Sequence, residues 1–210
     1  MILFKIVNKL ISIIKKIEKI FWNWYAIQYC KCVGATLADP KSVIFKGRTF
    51  LAINPNSKVY IGKDFVLNSG KGYGIETGAS NIYVENNAEL YIGENVGMSS
   101  VVIGCQEKII IGNNVNVGGG GILMDTNFHS LDPYLRADRQ NDYKGIKTAP
   151  INIGNNVFIG ARSIISKGVS IGENTIVATG SVVIKSLPAN CIAGGNPCKV
   201  IKQIETWQNH

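Results

Sequence analysis

Histidine is nearly absent from this chain: of 210 residues, only His129 and His210 carry an imidazole. A catalytic zinc commonly takes three protein ligands, histidine foremost, so no metal site is expected. The five cysteines, Cys30, Cys32, Cys105, Cys191 and Cys198, are odd in number and form no Cys-x-x-Cys pair. That argues against a disulfide framework or a zinc knuckle, and reduced thiols suit a cytoplasmic protein. An uninterrupted apolar run is also missing. The most apolar stretch, residues 2–24, is broken every few positions by Lys5, Lys9, Lys15, Lys16 and Lys19. It therefore reads neither as a membrane span nor, lacking a small-residue cleavage site, as a secretory leader. Acidic residues are few, 14 against 22 basic ones, for a net charge of +8. Such a balance suits a phosphate-bearing partner or an anionic surface. Without a basic–aromatic binding motif, nucleic acid is not an expected partner.

What is present is a period of six. Ile153, Ile159, Ile165, Ile171, Val177 and Val183 recur at that spacing, with Gly154, Gly160 and Gly172 directly behind three of them. Two positions ahead of each next aliphatic stand Val157, Ser163, Val169, Thr175 and Ser181, all small or β-branched. Six is neither the helical 3.6 nor the strand's 2. It predicts a solenoid whose coils have three short faces, with equivalent side chains stacked into one core. Looser versions run from about residue 40: Ile61-Gly62 then Leu67, Ile92-Gly93 then Met98, Ile111-Gly112 then Val117 and Leu123. The register slips near residues 104–108, which predicts corner bulges or loops. The glycine-rich stretches 70–74 and 118–121 lack a following Lys-Ser/Thr, so they read as turns that need positive φ rather than phosphate loops.

Three segments follow from this pattern. Residues 1–30 form an N-terminal amphipathic helix, 40–185 the β-helix domain, and 186–210 a C-terminal tail. In the helix, Leu3, Ile6, Val7, Leu10, Ile13, Ile14, Ile17, Ile20, Phe21 and Trp24 share one face. That face either packs on the β-helix or a neighbouring subunit, or lies on a membrane surface with Trp22 and Trp24 at the interface. The tail, punctuated by Pro188 and Gly194-Gly195, is expected to place a short helix over Cys198–Trp207 as a cap on the open end.

Residues 126–150 abandon the repeat in a long polar loop that holds His129. An excursion of this length is commonly functional, and imidazole titrates where a general base at neutral pH must. Asp125, Asn127 and Asp132 are the nearby groups able to orient the ring. Ser130 adjoins it without the context of a nucleophile elbow.

The stretches MDTNFHSLDPYLR, API-NIGNNVFIGARSII, GVSIGENTIVATGSVV and LPANCIAGGNPCKVIK resemble the hexapeptide-repeat acyltransferases with a left-handed parallel β-helix. Within that family they are most similar to the maltose and galactoside O-acetyltransferases and the bacterial polysaccharide O-acetyltransferases. The resemblance covers roughly residues 110 to 204; residues 40–109 share only the general repeat, and the first helix does not match. It implies a homotrimer with acetyl-CoA in the cleft between adjacent β-helices and His129 deprotonating the acceptor hydroxyl, with Asp125 beside it. The backbone N–H of Gly160 or Ala161 is the candidate oxyanion donor. The family's CoA contacts fall on Ala161, Thr179, Ile184, Lys185, Lys199 and Lys202, the lysines meeting phosphates as point charges. Ile184 departs from the threonine common there. Ser99 and Glu107 align near acceptor-binding positions where the register has slipped, and Asn127 is a third acceptor candidate. The activity so implied is acetyl-CoA-dependent O-acetylation of a sugar hydroxyl, in capsular or surface polysaccharide or its precursor, at the inner face of the membrane if the helix binds there. The alternatives are N-acetylation of an amino sugar and a scaffold without activity.

Overall fold

A computed structural model describes residues 2–70 and 78–205. After α1 (Ile2–Cys32), the chain runs through short strands that visit three sheets in rotation. Lys58–Ile61 belongs to the first sheet, Val66–Asn68 to the second and Ser80–Val84 to the third, and Glu89–Ile92 returns to the first beside Lys58–Ile61. Neighbours within each sheet are parallel, save for the last pair.

The spacing of six follows from this rotation. Ile153, Ile159 and Ile165 sit on sheets one, two and three, and Ile171, eighteen residues past Ile153, pairs directly with it. The register lines up a column Ile61–Ile92–Ile111–Ile153–Ile171. A second column runs Phe45–Leu67–Met98–Val117–Ile159–Val177–Ala193, and a third Ile82–Ile103–Leu123–Ile165–Val183. All of these side chains are buried. Each fully buried aliphatic contributes about 1.5–3 kcal/mol relative to exposure, and none can be buried without the rung above or below.

Close stacking explains the glycine behind the aliphatic. A Cβ on Gly160 would stand 2.4 Å from the amide nitrogen of Thr179, and one on Gly172 2.2 Å from that of Ala189. These glycines serve backbone approach, not left-handed φ. At one corner left-handed φ falls instead to asparagines: Asn95, Asn114, Asn156, Asn174 and Asn190 have φ between 54° and 58°. Their side-chain amides form a ladder up one corner, each Nδ2 donating to the next Oδ1 at 2.8–3.0 Å.

Of the glycine-rich stretch 118–121, Gly120 has positive φ, whereas Gly118 makes room for Ala161, 2.5 Å from where its Cβ would be. Gly70 has φ 84°; positions 71–74 lie outside the described residues. The tail corrects an expectation. Lys199–Gln203 is a strand, not a helix, and runs antiparallel to Cys191–Gly194 at the end of the second sheet. An open strand edge is covered more directly by a returning strand, which supplies N–H and C=O partners that a helix satisfies internally. Trp207 lies outside the described residues.

Candidate active site

The loop that carries His129 leaves the third sheet after Ile122–Met124 and rejoins the first at Ile151–Ile153. Its base is tied down on both sides. Thr126 and Thr148 form an antiparallel bridge, the amide of Ala149 donates to the Asp125 carbonyl at 2.9 Å, and that of Asn127 to the Lys147 carbonyl at 3.2 Å. Inside the loop, Asp132 caps the short helix α2 (Pro133–Ala137), accepting from the amides of Tyr134 and Leu135. A 3-10 turn at Asp142–Gly145 follows.

That turn brings Asp142 to the histidine. Oδ2 of Asp142 lies 2.5 Å from Nδ1 of His129, and Oδ1 accepts the Ser130 amide at 2.7 Å. The bond to His129 and then that to Ser130 hold the Asp142 carboxyl below the ordinary carboxylate range. A carboxylate at Nδ1 selects the tautomer with its proton there and leaves Nε2 as the basic nitrogen. The His129 side chain is 70% exposed and that of Asp142 16%, so the partner is sheltered and the base open.

Two further contacts hold the imidazole-bearing strap. Ser130 is buried, and a Cβ on Gly145 would stand 1.9 Å from its Oγ; only glycine lets the 3-10 turn close over it. Arg136 Nη1 donates to the carbonyls of Ser130 at 2.8 Å and Leu131 at 3.4 Å. Phe128, immediately before the histidine, takes φ 58° and packs beside Tyr83, over Gly104. The Tyr83 hydroxyl donates to Glu85, and this bond, followed by burial, pushes its pKa up to about 12.

Asp125 does not orient the ring. It is fully buried and accepts from the amides of Gln106, Glu107 and Lys108 at 2.7, 2.8 and 2.7 Å. The carboxylate thereby pins the backbone where the hexad register slips, which is why an acid stands at the mouth of the loop. Cys105 beside it is held well above the usual thiol range, by burial first and by the Asp125 charge second; it is no ready nucleophile. Asp132 is occupied as a cap, and Asn127 presents a buried Nδ2 without a hydrogen-bond partner.

The remaining candidates are dispersed over the second and third sheets and their corners. Ala161 and Thr179 stack at the corner entering it: the glycine before Ala161 abuts the backbone of Thr179. Ile184 and Lys185 follow Val182–Val183 at the corner leaving it, both exposed. Lys199 and Lys202 are exposed on the closing antiparallel strand. The Gly160 amide is already committed to the Val177 carbonyl at 2.7 Å, which removes it as an oxyanion donor. Ser99 accepts from Asn68 Nδ2 at 3.2 Å, and Glu107 is exposed next to the amides held by Asp125. Among the described residues, no three histidine, cysteine or acidic side chains group as metal ligands.

With this geometry in view, the likeness to known proteins is specific. Residues 150–185 match the family described as the hexapeptide repeat of succinyl-transferase. The galactoside O-acetyltransferase of Escherichia coli is 33% identical over 130 residues, 61% of this chain and 61% of that protein. In fold, the chain resembles AntD, an N-acyltransferase from Bacillus cereus solved with dTDP-4-amino-4,6-dideoxyglucose and coenzyme A. That likeness has a TM-score of 0.62 at 20% identity, over 85% of this chain and 89% of that one. A hexapeptide-repeat containing acetyltransferase from Vibrio cholerae shares the fold at a TM-score of 0.51 and 22% identity, over 82% and 72%. Residues 150–185 thus carry a hexapeptide repeat, and the chain is similar to proteins named as acetyltransferases. It spans about three fifths of the length of the curated relatives it matches.

Proposed function

We propose that the chain is an acetyl-CoA-dependent O-acetyltransferase that acts on a sugar hydroxyl, in a surface polysaccharide or its precursor. The observation that carries this reading is the His129–Asp142 pair at 2.5 Å on a braced loop. Nε2 of His129 removes the acceptor's hydroxyl proton as its oxygen attacks the thioester carbonyl. The carbon–sulfur bond then breaks, and the proton passes from His129 to the departing CoA thiolate, leaving the acetyl ester and free CoA. Asp142 stabilises the imidazolium that forms between the two transfers.

In this reading the three sheets are the faces of a left-handed parallel β-helix, and three copies assemble around it. The CoA thiol reaches His129 along a cleft between copies, past Ala161 and Thr179. A site completed by a neighbour accords with a base 70% exposed in the single chain. The amide of Ala161 remains the oxyanion donor, since that of Gly160 is bonded within its sheet. Lys185, Lys199 and Lys202 meet the CoA phosphates.

The E. coli relative acts on galactosides by its name, which favours oxygen as the acceptor atom. AntD is an N-acyltransferase, and the same base serves an amine, so the product decides between them. The test incubates the protein with acetyl-CoA and sugar acceptors and follows CoA thiol release and product mass. His129→Ala is expected to lower turnover by about two to four orders of magnitude. Unchanged turnover removes the proposed base, and an alkali-stable amide product removes O-acetylation.

A further inference from the structure

α1 is a helix of two halves. From Trp22 to Cys32 it is fastened to the β body: Asn23 accepts the Phe45 amide at 2.7 Å, the Tyr29 hydroxyl accepts that of Ile53 at 3.1 Å, and Ala26 and Cys30 are buried. From residue 4 to residue 21 every side chain is exposed. Ile14, Ile17 and Ile20 are each about 60% exposed, at 59%, 61% and 62%. An apolar stripe this long is foreign to a free protein surface.

The stripe has a definite shape and a definite electrical border. Ile6, Leu10, Ile13, Ile14, Ile17, Ile20, Phe21 and Trp24 return at three and four residues, three in every seven, a face wider than the two-in-seven seam of a coiled coil. Its flanks and back carry Lys5, Lys9, Lys15, Lys16 and Lys19 against a single acid, Glu18. Trp22, Trp24 and Tyr25 stand where the projecting half meets the body. Among the described residues no helix is long and apolar enough to cross a membrane.

We propose that the projecting half of α1 lies in the surface of an anionic lipid bilayer, holding the β body against it. The apolar face enters the acyl boundary, the lysine stems follow it inward and their ammonium groups meet the lipid phosphates. The aromatic cluster sits at headgroup depth, where rings with one polar edge are most stable. At 1.5 Å per residue the exposed half runs roughly 27 Å along the surface. A second copy is the poorer occupant, because pairing such helices sets lysines beside lysines with one glutamate per chain to offset them. The inference stands apart from the proposed transfer reaction.

The test is co-sedimentation of the full chain with phosphatidylglycerol–phosphatidylcholine vesicles, with phosphatidylcholine alone, and at rising salt. Binding is expected to the anionic vesicles and to fall at least tenfold on neutral ones or in high salt. The double variant Ile13→Asp, Ile17→Asp is expected to lose binding altogether, and the triple variant Lys15→Glu, Lys16→Glu, Lys19→Glu to lose the preference for anionic lipid. Both should keep the wild-type circular dichroism and melting temperature, since these residues do not touch the β body. Failure of the wild type to bind anionic vesicles overturns the proposal, as does equal binding to neutral ones. A change in sedimenting mass in the Ile13/Ile17 variant, without vesicle binding by the wild type, assigns the stripe to a second copy instead.

Discussion

Nδ1 of His129 and Oδ2 of Asp142 lie 2.5 Å apart although thirteen residues separate them in the chain. A helix cap, a 3-10 turn and a glycine-dependent contact all serve to bring them together. Such an arrangement holds in one tautomer an imidazole whose side chain is 70% exposed.

Asp142→Asn is therefore expected to slow transfer while leaving the fold intact. A hydrogen bond to a charged group is worth about 1.5–3 kcal/mol, or roughly ten- to a hundredfold in rate. Steady-state turnover with acetyl-CoA measures it, and a loss equal to that of His129→Ala would mean that the two act as one unit. The pH response follows from the lowered carboxyl of Asp142, set first by His129 and then by the Ser130 amide. A folded-state value below the unfolded one means the tie is fully present above the unfolded value and is lost as pH falls through the folded one. Loop order, read by amide exchange at Ser130, should accordingly persist at neutral pH and fail only below about pH 4.

Asp125→Ala is expected to act on stability. It leaves three backbone amides, those of Gln106, Glu107 and Lys108, without their acceptor, at a cost of roughly 2–4 kcal/mol. Urea unfolding measures the loss. A variant of wild-type stability but reduced turnover would return Asp125 to the chemistry.

The asparagine corner allows a paired comparison. Asn156→Ala removes two ladder bonds and places a Cβ residue without a local hydrogen bond at φ 58°, for a loss of about 1–2 kcal/mol. Asn156→Gly removes the same bonds but relieves the backbone, and should cost less than alanine. The opposite order in thermal unfolding would mean that left-handed φ does not limit the residue at this corner.

Gly145→Ala drives a methyl into Ser130 Oγ. The loop must shift, and because the loop lies outside the stacked columns, melting temperature should change little while turnover falls about tenfold or more, as for a misplaced catalytic group. Full activity in this variant would show that Ser130 does not position His129.

The rungs were legible because their cause is local and repeated. Each Ile or Val at spacing six meets its equivalent in the next turn, so the period is written directly into the chain at Ile153, Ile159, Ile165 and Ile171. The asparagine of each Gly-x-Asn corner was equally visible, but its meaning needs the ladder that forms when turns stack. The tail misled because a basic, amphipathic decapeptide suits helix and strand alike, and the open edge at Cys191–Gly194 chose the strand. The partner of His129 was hidden for a different reason. Spacing points to the near neighbours Asp125, Asn127 and Asp132 and leaves the choice among them open, whereas the partner, Asp142, stands thirteen positions on.

By itself the sequence determined a coil of three faces, the aliphatic residues that fill it, the loop that interrupts it and the imidazole that the loop carries. Tertiary structure alone decided that Asp142 meets this imidazole while Asp125 braces a corner, that the Gly160 amide is bonded within its sheet, and that half of α1 stands away from the body. The physical reason is one of range. Burial of a repeated side chain recurs at fixed spacing and leaves a period, whereas a hydrogen bond made once across an irregular loop leaves none.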